Sequence, residues 1–301
     1  VHNIKLTLAY DGTDFAGWQI QPRAATIQGA LTDIARKITQ ERILVHGAGR
    51  TDSGVHAIGQ VAHFKTQSAL TPQEFQRAFN ALLPPAIRVV GCEEVGPDFH
   101  ARWQALAKTY AYRIWRGRVV PPFLHRYVLH YPFPLDEATM AEAAQRFVGE
   151  HDFTSFAASS GSEENDRDRN PIRHIFQCTV IRCPLGAIAG GHDNRSGAAG
   201  TALPGSVSAF GPEEHSSAAV EQLRKFFGLG DELICIIRGK SFLRYMVRKM
   251  VGTLIDVGKG KLAPEDVTRL FALRDRSKSG STMPPHGLCL VSVEYPEPWK
   301  F

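Results

Sequence analysis

No stretch of this 301-residue chain approaches the roughly 18 consecutive apolar residues that a membrane-crossing helix requires. The opening Val1-His2-Asn3-Ile4-Lys5 lacks the charged-then-apolar layout of a secretion signal. Cysteine is scarce, with five residues at 92, 178, 183, 235 and 289 and no C-x-x-C pair. That odd set excludes a disulfide framework and a zinc ribbon and fits a reducing compartment. A soluble, cytoplasmic protein is expected. Hydrophobic residues make up 43% and charged residues 22%, a globular mix that argues against disorder. The length suggests about two domains or one large one. Positive charge is in small excess, +5 net, which by itself points only weakly to an anionic partner.

Strand-like and helix-like stretches are interleaved. Ile4, Leu6 and Leu8 alternate with polar neighbours over 3–9, a half-buried strand. Ile27, Ala30, Leu31, Ile34 and Ile38 fall at helical spacing behind Thr26, a cap. Residues 59–66 return to strand character, and Thr71-Pro72-Gln73-Glu74 is a capping box with proline at the first helical position. Strands are expected near 86–95 and 106–115, and a helix from Asp136 with Met140, Ala143 and Phe147 on one face. The second half predicts strands over 173–182, 232–238 and 288–295 and helices over 241–257 and 264–273. Strict strand–helix alternation is missing, so the expected class is antiparallel α+β. Residues 157–170 hold no large apolar side chain and are expected to form a solvated loop. In 184–217, 18 of 34 residues are Gly, Ala or Ser, too little apolar surface to offset the entropy of ordering them. Lying between two strand candidates, this stretch is expected to be a mobile insertion on a hairpin.

The most informative loop is Gly47-Ala48-Gly49-Arg50-Thr51-Asp52-Ser53-Gly54-Val55-His56. Three glycines in eight residues let a ligand approach the main chain closely. A dinucleotide fingerprint would need glycine where Asp52 stands, and no Gly-Lys-Ser/Thr follows to make a phosphate loop. What remains is one carboxylate, with an arginine two positions earlier. Its plain alternative is a turn in which Asp52 bonds nearby backbone amides. Asp52, Ser53 and His56 are too close together for a hydrolase triad, and His46, His56 and His63 match no common zinc spacing. His63, in a strand, reads as a structural histidine.

Two basic segments lack acids. The band 99–135 carries six Lys or Arg and nine of the chain's 28 aromatic residues. Basic groups attract phosphates and aromatic faces stack on unpaired bases, although alternation along Lys108-Thr109-Tyr110-Ala111-Tyr112 also suits core packing. Tyr110 and Tyr112 share one strand face, so one ring can line a pocket while the other packs. The second segment, 238–250, has five basic residues. On a helix from Ser241, Arg244 and Arg248 would stand one turn apart beside an apolar stripe. Arg248, nearer the stripe, is the one expected to be buried against a carboxylate.

Taken together, these residues resemble the tRNA pseudouridine synthase A (TruA) family. The likeness is carried by Tyr10-Asp11-Gly12-Thr13 with Gly17-Trp18-Gln19, by the 47–57 loop, and by Phe99-His100-Ala101-Arg102. It continues through Lys108 to Arg113, His151-Asp152-Phe153, Phe242-Leu243 with Met246-Val247-Arg248, and Pro284-Pro285-His286-Gly287-Leu288. The resemblance implies a pseudouridine synthase-like fold, with two α+β domains (1–104 and 105–301) whose antiparallel sheets join around a central basic cleft. It implies isomerisation of uridine to pseudouridine at positions 38, 39 and 40 of the tRNA anticodon stem-loop, by a homodimer, with neither metal nor organic cofactor. By motif position Asp52 resembles the catalytic aspartate, Tyr110 the substrate-pocket tyrosine and Arg50 the arginine beside the flipped nucleotide. Arg248 matches the basic partner of the aspartate and Leu288 an apolar contact to the uracil. A neighbouring arginine typically lowers a carboxylate pKa by roughly 1–3 units, so Asp52 is expected to be ionised. The insertion at 184–217 is foreign to the family's short connection, and Met283 stands where the family often has alanine. The rival readings are a non-catalytic RNA-binding or RNA-chaperone protein on the same fold, and a glycosidase, which needs a second acid.

Overall fold

The computed structural model describes residues 1–158, 170–183 and 231–296. The insertion at 184–217 and nearly all of the loop at 157–170 lie outside the described residues. Ten strands form one sheet: β1 (His2–Tyr10), β2 (His46–Gly47), β3 (His56–Thr66), β4 (Ile87–Val95), β5 (Ala107–Trp115), β6 (Leu129–His130), β7 (Gly149–Asp152), β8 (Ile172–Cys183), β9 (Glu232–Gly239) and β10 (Leu288–Glu294). The order is β4-β1-β3-β10-β5-β9-β8-β7, with β2 added to β3 and β6 to β5. Pairings are antiparallel except β10 with β3 and β6 with β5. The last strand of the chain is therefore inserted between β3 and β5, joining the two halves into one continuous sheet.

Alternation sets which side is covered. Ile4, Leu6, Leu8 and Tyr10 of β1 and Phe64 of β3 are buried, as are Tyr110, Tyr112 and Ile114 of β5. Helices α1 (Ile27–Thr39) and α2 (Pro72–Leu82) cover this face in the first half, and α3 (Glu137–Gln145), α4 (Met246–Gly258) and α5 (Asp266–Leu273) in the second. Their starts follow the sequence. Thr26 accepts from the Gly29 amide, Thr71 and Glu74 form the reciprocal box behind Pro72, and Asp136 caps Ala138 and Thr139. Phe75 and Phe79 of α2 pack around Phe64, with ring centroids 5.5 and 5.9 Å away. Each such buried ring contributes roughly 1.5–3 kcal/mol by area.

One helix begins later than its periodicity suggests. The expected run over 241–257 is helical only from Met246, because Tyr245 adopts φ 64, a left-handed conformation. Residues 241–245 instead form a turn that tucks Phe242 edge-on against Tyr110, centroids 5.1 Å apart. Arg244 is consequently off the helix and does not stack one turn from Arg248. The strands flanking the insertion do pair with each other, Cys183 opposite Glu232.

Candidate active site

Asp52 lies in the loop between β2 and β3, and the segment 11–19 cradles that loop. The Trp18 amide donates to Thr51 O (3.0 Å), Gly54 N to Phe15 O (3.3 Å) and Ser53 Oγ to Phe15 O (3.1 Å). The Tyr10 hydroxyl bonds Thr51 Oγ1 at 2.9 Å, and Gly12 N donates to His56 Nδ1 at 3.1 Å. Gly47 must lack a side chain, since a Cβ there would fall 2.3 Å from the Trp18 ring. The two motifs that stood 30 residues apart as sequence are thus one structural unit. His56 Nε2 bonds the Arg126 carbonyl, which leaves Nδ1 to accept from Gly12. Ser53 and His56 are committed to this scaffold and form no triad with Asp52.

The second half delivers a guanidinium to the carboxylate. Arg248, in the first turn of α4, donates through Nη1 to Asp52 Oδ2 at 3.2 Å and through Nε to Met283 O at 2.6 Å. The segment 276–284 is itself strapped to α4. Lys249 Nζ donates to Arg276 O at 2.9 Å and to Ser279 Oγ at 2.8 Å, and Gly280 N donates to Thr253 Oγ1 at 2.9 Å. Met283 therefore serves the site through its carbonyl. The Tyr245 ring lies under both Arg244 (5.0 Å) and Arg248 (4.8 Å), a cation–π contact on each side of the αL turn. The carboxylate makes no hydrogen bond with a backbone amide among the described residues, so the plain Asx-turn alternative does not describe it.

Electrostatics correct one expectation. Burial pushes the Asp52 carboxyl above its ordinary range, and the charges of Arg248 and Arg244 offset that only in part. Desolvation outweighs the arginine. With its side chain 24% exposed, Asp52 is still reachable. Tyr110, on the same side of the sheet, has its pKa raised chiefly by burial, with the charges of Tyr10 and Asp52 adding to it. Its hydroxyl has no hydrogen-bond partner among the described residues. Tyr112, two residues on, packs fully and donates to Pro284 O at 2.9 Å. Both rings of the pair are buried, Tyr110 against Phe242, and only Tyr110 feels the charge of Asp52.

The remaining expected residues sit apart from this contact. Arg50 is exposed and donates through Nε to Gln19 Oε1 at 3.1 Å. Leu288 is buried at the start of β10, in register with Tyr112. Within the basic–aromatic band the roles divide. Arg113 pairs with Glu232 and Arg116 bonds Phe133 O, whereas Trp103, Phe123 and Phe133 are exposed. Phe242 and Tyr245 were missed as site residues because the sequence pattern placed them inside a regular helix. His63 is buried and accepts the Ala101 amide, as a structural histidine does. Among the described residues no group of three or more His, Cys, Asp or Glu is arranged to hold a metal ion, and no helix is long and apolar enough to cross a membrane. A cavity of about 460 Å³ is lined by Tyr10, Asp11, His56, Ile58, Arg113 and Leu288 among others. Asp52 is not part of it.

A family model described as tRNA pseudouridine synthase matches residues 7–104 and 143–296. The tRNA pseudouridine synthase A of Solibacter usitatus is 41% identical over 295 residues, covering 98% of this chain and 100% of its own. The tRNA pseudouridine synthase A of Caldicellulosiruptor saccharolyticus is 37% identical with the same coverage. That of Limosilactobacillus fermentum is 38% identical over 301 aligned positions, covering 99% of this chain and 98% of its own.

Proposed function

The chain belongs to the tRNA pseudouridine synthase family, and we propose that it isomerises uridine at positions 38, 39 and 40 of the tRNA anticodon stem-loop with Asp52 as the catalytic group. The observation that carries this reading is the Asp52–Arg248 contact at 3.2 Å, made between a loop of the first half and a helix of the second beside Tyr110. The reaction breaks the bond from C1′ to N1, turns the uracil and joins C1′ to C5, which loses its proton. Nothing is oxidised. Asp52 attacks C6, attacks C1′, or assists a glycal by taking a sugar proton. All three routes need the carboxylate charged yet poorly solvated. Burial strips its water, and Arg248 favours the charged form that burial opposes.

Tyr110 serves as a neutral phenol. Its raised pKa argues against a phenolate base and for a hydroxyl that holds the uracil or directs a water to C5. The target nucleotide leaves its stack at a few kcal/mol. On this reading Arg50, exposed and bonded to Gln19, fills the gap, and Leu288 meets the uracil's apolar edge.

The same reading includes a boundary between the halves at 104/105, cytoplasmic action and a homodimer. We place the second copy on the face of the sheet that no described helix covers, where Ile58 and Ile181 are 61% and 45% exposed. Ile58→Asp with Ile181→Asp should give a monomer by sedimentation. The test of function is tritium release from tRNA labelled at uridine C5, using transcripts with uridine retained singly at 38, 39 or 40. Release by the wild type and none by Asp52→Asn supports the assignment. Equal release by a folded Asp52→Asn, or free uracil as product, sinks it.

A further inference from the structure

Lys108 takes no part in the contacts described so far. It lies on β5, two residues before Tyr110, with its stem against the loop that carries Asp52. A Cβ built on Gly49 would fall 3.0 Å from Lys108 Nζ, 3.4 Å from Cε and 3.8 Å from Cδ. Gly49 is not among the glycines with positive φ, and a side chain there would press on the end of Lys108, which would have to move by a few tenths of an ångström. The Gly49 carbonyl is pinned by Gln60 Nε2 at 3.0 Å, so the loop is not free to give way.

The ammonium has no carboxylate or hydrogen-bond acceptor in contact among the described residues, and it is not sealed from solvent. Burial, with the like charge of Arg102 adding, pushes its pKa down to about 8. Arg102 is exposed and likewise has no acidic partner among the described residues. Lys108 feels the like charge of Arg102, and no acid among the described residues pairs with either. An arriving anion would. Beside Arg102, the Trp103 ring is 78% exposed and stacks on His100 at 4.0 Å and 9°, a flat apolar surface of the kind on which unpaired bases lie.

We propose that Lys108, with Arg102 beside it, binds a phosphodiester of the RNA strand next to the nucleotide presented to Asp52, and that Gly49 is glycine in order to seat this lysine. Lys108 is then a positioning residue, acting as a compact point charge on phosphate. This inference rests on the tRNA-modifying reading above.

The test uses the full chain and an unmodified tRNA transcript. Equilibrium binding is measured from low to moderate salt for wild type, Lys108→Met, Lys108→Gln and Gly49→Ala, alongside single-turnover tritium release. Losing one phosphate contact should weaken binding about tenfold and lower the slope of log K against log salt by about 0.7–1. The loss should appear in Kd, with the rate at saturating tRNA much less affected. Gly49→Ala should weaken binding alone but add little on top of Lys108→Met, since both remove one contact. A folded Lys108→Met or Lys108→Gln with an unchanged salt slope overturns the proposal, as does a defect confined to the saturating rate. If neither lysine variant folds, the slope of Gly49→Ala decides. A wild type that binds through Lys108 but releases no tritium would sink the functional reading and leave the phosphate contact standing.

Discussion

Replacing Arg248 tests how Asp52 is kept charged. The guanidinium holds the carboxylate at 3.2 Å and the Met283 carbonyl at 2.6 Å, so the substitution must remove the charge without abandoning the carbonyl. Arg248→Gln does this, because its amide can still donate to Met283 O. At 3.2 Å and an effective dielectric near 20, the attraction is about 5 kcal/mol before desolvation is counted. An opposite charge at such range is typically worth roughly 1–3 pKa units. Burial already pushes Asp52 upward, so losing Arg248 moves it further in the same direction. The acidic limb of kcat/KM, read by tritium release, should therefore shift to higher pH by roughly 1–3 units. Below the shifted limb the rate falls tenfold per pH unit. Above it the variant should recover to within about tenfold of wild type, if Arg248 acts chiefly on ionisation. Arg248→Lys keeps the charge and should hold the limb within about one unit, but it loses rate because one ammonium replaces a fork that spans two acceptors. An unmoved limb in Arg248→Gln, with a uniform loss of rate, would refute the reasoning and leave Arg248 a purely geometric part.

Asp52→Asn should abolish turnover without lowering Tm. Ionising a carboxyl whose folded pKa is raised costs folding free energy above its unfolded value of 3.8, so a neutral isostere should match or exceed wild-type stability at pH 7, with the difference closing as pH falls toward 4. A Tm several degrees lower at pH 7 would contradict this. Tyr110→Phe keeps the ring against Phe242 and removes the hydroxyl. It should lower the saturating rate by about 10²–10⁴ with tRNA affinity nearly unchanged, checked by single turnover and filter binding. Among the buried histidines, His63 has its pKa lowered from 6.5 to about 4. Its neutral form therefore supports the fold above pH 6.5, and that support is lost as pH falls from 6.5 toward about 4, by at most about 2–3 kcal/mol. Urea midpoints for wild type and His63→Gln across this window would show it, and parallel curves would disprove it.

Much of the frame was legible because local chemistry and burial agree there. Thr26, the Thr71–Glu74 box and Asp136 announce three helix starts, and the alternation of Ile4, Leu6 and Leu8 announces β1 and its buried face. That Arg248 meets a carboxylate was legible from its place beside the apolar stripe of its helix; that the carboxylate is Asp52 came only from the family resemblance. The sign of the Asp52 shift was not legible. Proximity of an arginine can be guessed from spacing, but desolvation depends on what closes over the loop, and the cover comes from residues near 244–248 and 283, some 200 positions away. Lys108 was hidden for a related reason. As sequence it is one cation in a basic band, and only the fold shows its ammonium end lying 3.0 Å from where a Gly49 side chain would begin.

The misread start of α4 shows how the site departs from local preference. A helix from Ser241 would satisfy the apolar spacing and place Arg244 and Arg248 one turn apart. In that form Phe242 would point along the helix, and the chain would have no turn with which to reach Tyr110. The observed left-handed Tyr245 costs about 1–2 kcal/mol in backbone conformation, and its placement brings three contacts together. Phe242 meets the Tyr110 ring, Tyr245 lies under two guanidinium groups, and Arg248 enters the first helical turn aimed at Asp52. Local rules tend to fail where function needs an arrangement they do not favour. If that is the reason here, Tyr245→Gly, which adopts the left-handed conformation without strain, should restore backbone ease yet still lose activity, because the ring beneath Arg248 is gone. Tyr245→Phe keeps the ring and should retain near wild-type tritium release. Equal activity in the glycine and wild-type proteins would show that the turn, and not the ring, is what the site requires.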